Sequence, residues 1–356
     1  MSIPVKGRGA AGNPQGRFET RRVDPGDDGW SGEERTLAPA TEVRAEIARR
    51  IISRNDSPDI PFRQSINPYR GCEHGCIYCY ARPTHAYLNL SAGLDFETKL
   101  FYKENAVALL ERELARPGYR PLPINLGANT DPYQPIEREH RLTRGLLEVL
   151  LRHRHPVTIV TKSRLVLRDL DLLREFAERR LCRVMISVTT LDAQLKRSLE
   201  PRAPSPAARL QAIAGLAQAG IPVGVLAAPM IPALNDHELE AILRQAAQAG
   251  ARHAAFVLLR LPHEVGELFE AWLRDHVPLR AERVLSRIRA MRGGALTDAR
   301  FGSRFTGRGT EADLLAQRFA VACRRLGIDG DERGVLDMAA FRVPGGAGAQ
   351  LGLDLA

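Results

Sequence analysis

The chain of 356 residues is 44% hydrophobic and carries a formal net charge of +9, which provides for one large core with extensions or two small domains. It contains no run of about eighteen apolar residues, which excludes an ordinary membrane-spanning helix, and Lys6 and Arg8 are not followed by an apolar signal core, so the expected localisation is cytoplasmic. Residues 1–40 hold six Lys/Arg against six Asp/Glu and residues 297–356 hold eight against eight. The excess charge therefore lies in the middle of the chain, where it suits an anionic partner such as nucleic acid or simply reflects an arginine-rich composition.

In chain order, residues 1–40 are rich in Gly, Pro and charge and read as an irregular arm. Val43, Ile47 and Ile51 recur every four residues, which predicts a helix over Glu42–Ile52. After Ser57-Pro58 an extended segment, Gln64–Tyr69, leads into a loop with three cysteines. Apolar runs bounded by turn residues then predict strands at Pro123–Gly127, Val157–Thr161, Val184–Thr189, Val223–Ala227 and Ala254–Leu259. Helical patterns separate them at Lys103–Ala115, Arg141–Arg152, Leu170–Arg179, Ala207–Ala219 and Asp236–Ala249.

With the first extended segment this makes six βα units, whose right-handed crossovers give an α/β fold: an open, partial (β/α) barrel of the TIM type. The alternation stops beyond Val277, so the expected division is an arm over 1–40, a core over 41–276 including a lead-in helix, and a helical extension over 277–356. In such barrels the active site lies at the C-terminal ends of the strands. The cysteine loop occupies that position after the first strand.

That loop reads Gly71-Cys72-Glu73-His74-Gly75-Cys76-Ile77-Tyr78-Cys79-Tyr80. Three thiolates so close in sequence can converge on one metal centre and leave a coordination position for another ligand. They suit zinc or an iron–sulfur cluster alike. Zinc would need a fourth ligand such as His74 or His85, because Cys182 and Cys323 are isolated. Five cysteines without a secretory signal argue against disulfides.

The spacing C-x3-C-x2-C, with Tyr78 just before the last cysteine, resembles the signature of the radical S-adenosylmethionine (SAM) superfamily. The resemblance implies that Cys72, Cys76 and Cys79 hold a [4Fe-4S] cluster whose fourth iron is chelated by SAM. It also implies that an electron, supplied by a carrier such as flavodoxin or ferredoxin, cleaves SAM to a 5′-deoxyadenosyl radical that abstracts hydrogen from a substrate. The alternative is a non-catalytic zinc- or cluster-binding protein.

Within the superfamily, Tyr78–His85, Asn129-Thr130-Asp131-Pro132-Tyr133-Gln134-Pro135 and Glu200-Pro201-Arg202 look like the group classed with spore photoproduct lyase as DNA repair photolyase-like. Arg8-Gly9-Ala10 in the arm and the tail around Val284–Arg289 and Arg292-Gly293-Gly294 resemble an uncharacterised bacterial subfamily of it. The resemblance implies cofactor contacts from Tyr78; from Asn129, Thr130 and Asp131 at the SAM amino group; from Thr161, in Thr161-Lys162-Ser163, at the ribose or carboxylate; from Ser187 at the ribose; and from Arg202 on the carboxylate. The apolar runs ending near Met230 and Leu259 are candidates for the adenine pocket.

Lyases of this group also return a hydrogen atom from a cysteine outside the motif, for which neither Cys182 nor Cys323 lies in a matching motif. Tyr80, Arg82 and His85 either line the substrate mouth or pack the loop. Arg280, Arg283 and Arg287 form a helical stripe that suits either phosphates or solvent.

Overall fold

The chain is described by a computed structural model covering residues 5–19, 39–329 and 336–343. Its strands are β1 (Glu42–Glu46), β2 (Ile52–Arg54), β3 (Gln64–Ile66), β4 (Tyr69–Arg70), β5 (Lys99–Lys103), β6 (Ile124–Leu126), β7 (Val157–Thr161), β8 (Cys182–Ser187), β9 (Val223–Met230) and β10 (His253–Leu258). Seven of them form a sheet in the order β10-β9-β8-β7-β6-β3-β2. The six from β3 to β10 in that sheet run parallel, and β2 joins the edge antiparallel to β3. The sheet stays open between β10 and β2, so the expected partial α/β barrel is what the chain forms.

The parallel strands read as near-continuous apolar runs because helices cover one face and core side chains fill the other. Ile66, Ile124, Ile159, Val184, Ile186 and Val225 are all buried, each contributing about 1.5–3 kcal/mol of transfer free energy. Helices Ala106–Leu114, Leu142–Arg152, Leu170–Glu178, Pro206–Gln218 and Leu239–Gln248 pack outside, within a few residues of their predicted bounds. The start of helix Pro206–Gln218 is set locally: Ser205 accepts the Ala208 N–H at 3.2 Å and proline takes the first helical position.

The helix expected over Glu42–Ile52 does not form. Those residues make β1, which pairs parallel with β5, and β2, which pairs with β3. Val43 and Ile47 are exposed and only Ile51 is buried, so the four-residue spacing marked no packing face. Strand pairing outweighed a weak helical pattern. Beyond β10 the chain is helical at Val265–His276, Pro278–Met291 and Thr310–Leu326. No described helix is long and apolar enough to cross a membrane. Residues 5–19 of the arm hold no helix or strand; 20–38 lie outside the described residues.

Candidate functional site

The cysteine loop leaves β4 through Gly71, whose φ of 74° suits glycine. A Cβ there would stand 2.8 Å from the Phe96 carbonyl oxygen, which already accepts the Cys72 N–H at 3.0 Å. Successive turns, Gly75 N–H to Cys72 O at 3.4 Å and Cys79 N–H to Cys76 O at 3.2 Å, wind the loop tightly. Cys72 and Cys76 are each 7% exposed and Cys79 is half-buried.

Burial pushes the Cys72 thiol well up, and Asp131, Cys76 and Cys79 add to the shift. Burial, then Glu200, pushes Cys76 up to about 12, against Lys162. Three sulfurs that repel one another as thiolates are a donor set that a multiply charged metal group would neutralise.

The fourth ligand that zinc would need is engaged elsewhere. His74 Nδ1 faces Asp131 at 3.4 Å and His85 Nε2 faces the Lys99 carbonyl at 3.0 Å. Among the described residues, no three His, Cys, Asp or Glu side chains close on a single-ion site. A polynuclear cluster binds each thiolate on its own iron and keeps the sulfurs apart, so the loop fits such a group.

Clamps hold the loop from beneath. Arg82 is 0% exposed and donates from Nε to the Cys76 carbonyl at 2.8 Å and from Nη1 to the carbonyls of Ala92 and Gly93 at 3.0 and 2.9 Å. Its Nη2 meets Glu97 at 2.5 Å, and Glu97 accepts the Gly9 and Ala10 N–H groups at 2.9 Å each. The arm is thus tied under the cysteines. Arg82 and His85 pack the loop, whereas Tyr80 is 48% exposed and donates its hydroxyl to the Ala128 carbonyl.

The predicted site residues lie around this loop at the strand ends. Thr130 donates to the Gly71 carbonyl at 2.7 Å, and Gln134 donates to the same oxygen at 3.1 Å while accepting the Glu73 N–H at 3.0 Å. Asn129 is exposed, its backbone N–H on Asn67 Oδ1 at 2.8 Å. Asp131 joins the β6 and β7 ends: it accepts from the Thr161 hydroxyl at 2.6 Å and from the N–H groups of Lys162 and Tyr133 at 2.8 and 2.9 Å. Burial opposes its charge, but His74 and these donors hold the carboxyl at about 2. Ser187 donates to the Ala228 carbonyl at 3.2 Å. Arg202 spends its guanidinium on Glu73 at 2.7 Å, while its N–H meets the His74 carbonyl at 3.2 Å.

Four residues gather here that the sequence reading did not assign to the site. Glu200, fully buried, accepts from the Tyr78 hydroxyl, from Arg209 and from Thr189 at 2.8 Å, and lies 4.0 Å from the Cys76 sulfur. Burial would raise its carboxyl, but Arg209 and Lys162 hold it at about 2. Lys162 has its ammonium 5.9 Å from the Tyr78 ring centre and makes no side-chain hydrogen bond or ion pair with a described residue. Glu200 stands in the motif Glu200-Pro201-Arg202 and Lys162 directly follows Thr161 at a predicted strand end, so both were legible there. Arg209 and Glu97 carry no motif.

The model of the radical SAM superfamily matches residues 66–246. An uncharacterised protein of Mycobacterium tuberculosis (strain ATCC 25618 / H37Rv) is 40% identical over 223 residues, 62% of this chain and 66% of that protein, so the chain matches just under two thirds of this relative's length. An uncharacterised protein of Methanocaldococcus jannaschii is 33% identical over 173 residues, 49% of this chain and 62% of that one. Among solved structures, a spore photoproduct lyase with bound AdoMet and dinucleoside spore photoproduct superposes with a TM-score of 0.54 at 17% identity, covering 80% of this chain and 78% of the lyase. That is a likeness of fold.

Proposed function

The chain belongs to the radical SAM superfamily, and from that premise we propose that Cys72, Cys76 and Cys79 hold a [4Fe-4S] cluster that leaves one iron for SAM. The observation that carries this is the trio of free thiols, two of them buried, at the C-terminal mouth of six parallel strands. Bound there and reduced by one electron from a carrier such as flavodoxin or ferredoxin, the cluster with SAM would supply a 5′-deoxyadenosyl radical, with methionine as the other product of sulfur–C5′ cleavage.

The chain's own residues then have separable tasks. Lys162, an unpaired cation beside Cys76, suits the SAM carboxylate better than Arg202, which is engaged by Glu73. Asn129, exposed at the end of β6, is free to meet the amino group. Asp131, Thr161 and Thr130 position the β6 and β7 loops through the bonds given above, and Tyr78 with Ser187 lines the wall toward β8 and β9. The buried Glu200–Arg209 pair fixes Tyr78 and Thr189.

Photoproduct repair is not carried over from the lyase. Cys182 opens β8 at the far end of the sheet, with its thiol 3.6 Å from the Leu173 carbonyl, and Cys323 is buried in helix Thr310–Leu326. Neither occupies the mouth.

Anaerobic reconstitution with iron and sulfide, followed by dithionite and SAM, is expected to yield 5′-deoxyadenosine and methionine. A protein that takes up zinc and forms neither product would establish the non-catalytic alternative.

A further inference from the structure

Arg260 follows directly after the end of β10, on the same side of the sheet as the cysteine loop. It is half-buried, yet makes no hydrogen bond or ion pair with any described residue. Its guanidinium lies 4.7 Å from the centre of the Phe305 ring. Stacking occupies the face of a guanidinium and leaves its in-plane N–H donors free for a two-pronged anion.

The neighbouring Arg304, 4.9 Å from the same ring and 4.8 Å from Phe301, has its donors taken by Asp59 at 2.9 and 2.5 Å. Asp59 therefore neutralises Arg304, and the charge on Arg260 is left over. Burial, then Arg304, lowers the Arg260 pKa, while Asp59 acts the other way without forming an ion pair with it. Arg260 and Phe305 thus form a rim at this strand end.

The rim is rigidly mounted and partly open. Arg292, buried, donates to the carbonyls of Leu259, Arg304 and Ser303 at 2.6, 2.8 and 3.2 Å, and the Leu258 N–H meets the Phe305 carbonyl at 2.8 Å. On this base Phe301 is 59% exposed. Beyond the end of β9, a cleft of about 450 Å³ is lined by Arg280, Arg283, Arg287 and His237, with Asp236 opposite. Arg280 and Arg283 are exposed and make no ion pair with a described residue, while Arg287 faces Glu311 at 3.6 Å.

We propose that Arg260, Phe301 and Phe305 form a nucleotide-recognition site for single-stranded nucleic acid, a phosphate held by Arg260 and a base stacked on the exposed ring, with the strand continuing toward the Arg280–Arg283 cleft. An exposed aromatic ring beside a guanidinium that no carboxylate engages is what a strand of splayed bases requires. An acidic electron carrier would use the charge but not the rings. The proposal rests on the cluster reading only for what is done to the bound strand, since binding can be measured without SAM.

The test is fluorescence anisotropy of a fluorescein-labelled, mixed-sequence single-stranded oligonucleotide with the full chain, before and after reconstitution, over a range of salt. Phe301→Ala is expected to weaken binding about 5- to 100-fold, the worth of one stacked base. Arg260→Gln is expected to weaken it roughly ten-fold and to reduce the salt slope by about one. Both side chains lie at the surface or only half-buried, and unchanged circular dichroism confirms that the variants fold.

Native-like binding by both variants overturns the proposal. So does inorganic polyphosphate competing as well as the oligonucleotide while Phe301→Ala has no effect. An Arg260→Gln protein that binds the strand normally but accepts electrons slowly from reduced flavodoxin would assign the rim to the carrier instead. Tight binding by a protein that makes no 5′-deoxyadenosine would refute the cluster reading and leave this site standing.

Discussion

Cys76→Ala is expected to abolish both iron–sulfide uptake and 5′-deoxyadenosine formation while leaving a folded protein. Cys76 is the most constrained of the three cysteines: Arg82 holds its carbonyl at 2.8 Å and Glu200 stands 4.0 Å from its sulfur. The substitution removes one of the three proposed ligands and no backbone hydrogen bond. Two cysteines cannot hold a cluster that needs three protein thiolates and one open iron. Cys182→Ala and Cys323→Ala serve as matched controls, because both thiols lie in the main hydrophobic core away from the loop. They are expected to keep full cluster content, read as bound iron and sulfide. Equal loss in a control variant would show that the effect is one of folding and not of ligation.

Arg82→Met is expected to cost about 3–5 kcal/mol of stability, the usual penalty for stranding one member of a buried ion pair. Arg82 and Glu97 are both fully buried. Without the guanidinium, the Glu97 carboxylate keeps the Gly9 and Ala10 N–H groups but loses its ion-pair partner, and the carbonyls of Cys76, Ala92 and Gly93 lose their donors. Against the roughly 5–15 kcal/mol total of a typical domain, that is a large share. The double variant Arg82→Met/Glu97→Met is expected to lose less than the sum of the two single changes, since it leaves no unpaired charge. Urea unfolding of the four proteins decides this, and a loss below about 1 kcal/mol in Arg82→Met would remove the clamp from the account.

Five of the six parallel strands were legible as largely apolar runs bounded by turn residues, as at Val223–Met230, which is buried at six of eight positions, while Gln64–Ile66 showed only as an extended lead-in to the cysteines. The segment Glu42–Ile52 was misread because three apolar residues at four-residue intervals suit a helix and two short strands alike. Pairing of β1 with β5, some 57 residues on, decided the matter (Glu42 opposite Lys99). The cysteine loop announced itself by spacing.

What surrounds the loop did not, since its clamps join residues far apart: Arg8 and Gly9 with Glu97, Glu73 with Arg202, Tyr78 with Glu200. In a chain with 51 lysines and arginines, no single arginine stands out. Only the fold separates Arg209, buried on Glu200, from Arg260, left without an anion. For the same reason Arg202, a candidate for the SAM carboxylate by its motif, turned out to be engaged by Glu73, while Lys162, at the next strand end, forms no ion pair with a described residue.

The most direct measurement of the central claim is the electron paramagnetic resonance spectrum of the reconstituted, dithionite-reduced protein recorded with and without SAM. The account predicts a cluster signal that changes when SAM is added and that is absent from Cys76→Ala. A cluster spectrum indifferent to SAM, or a protein that retains zinc and takes up neither iron nor sulfide, would contradict it.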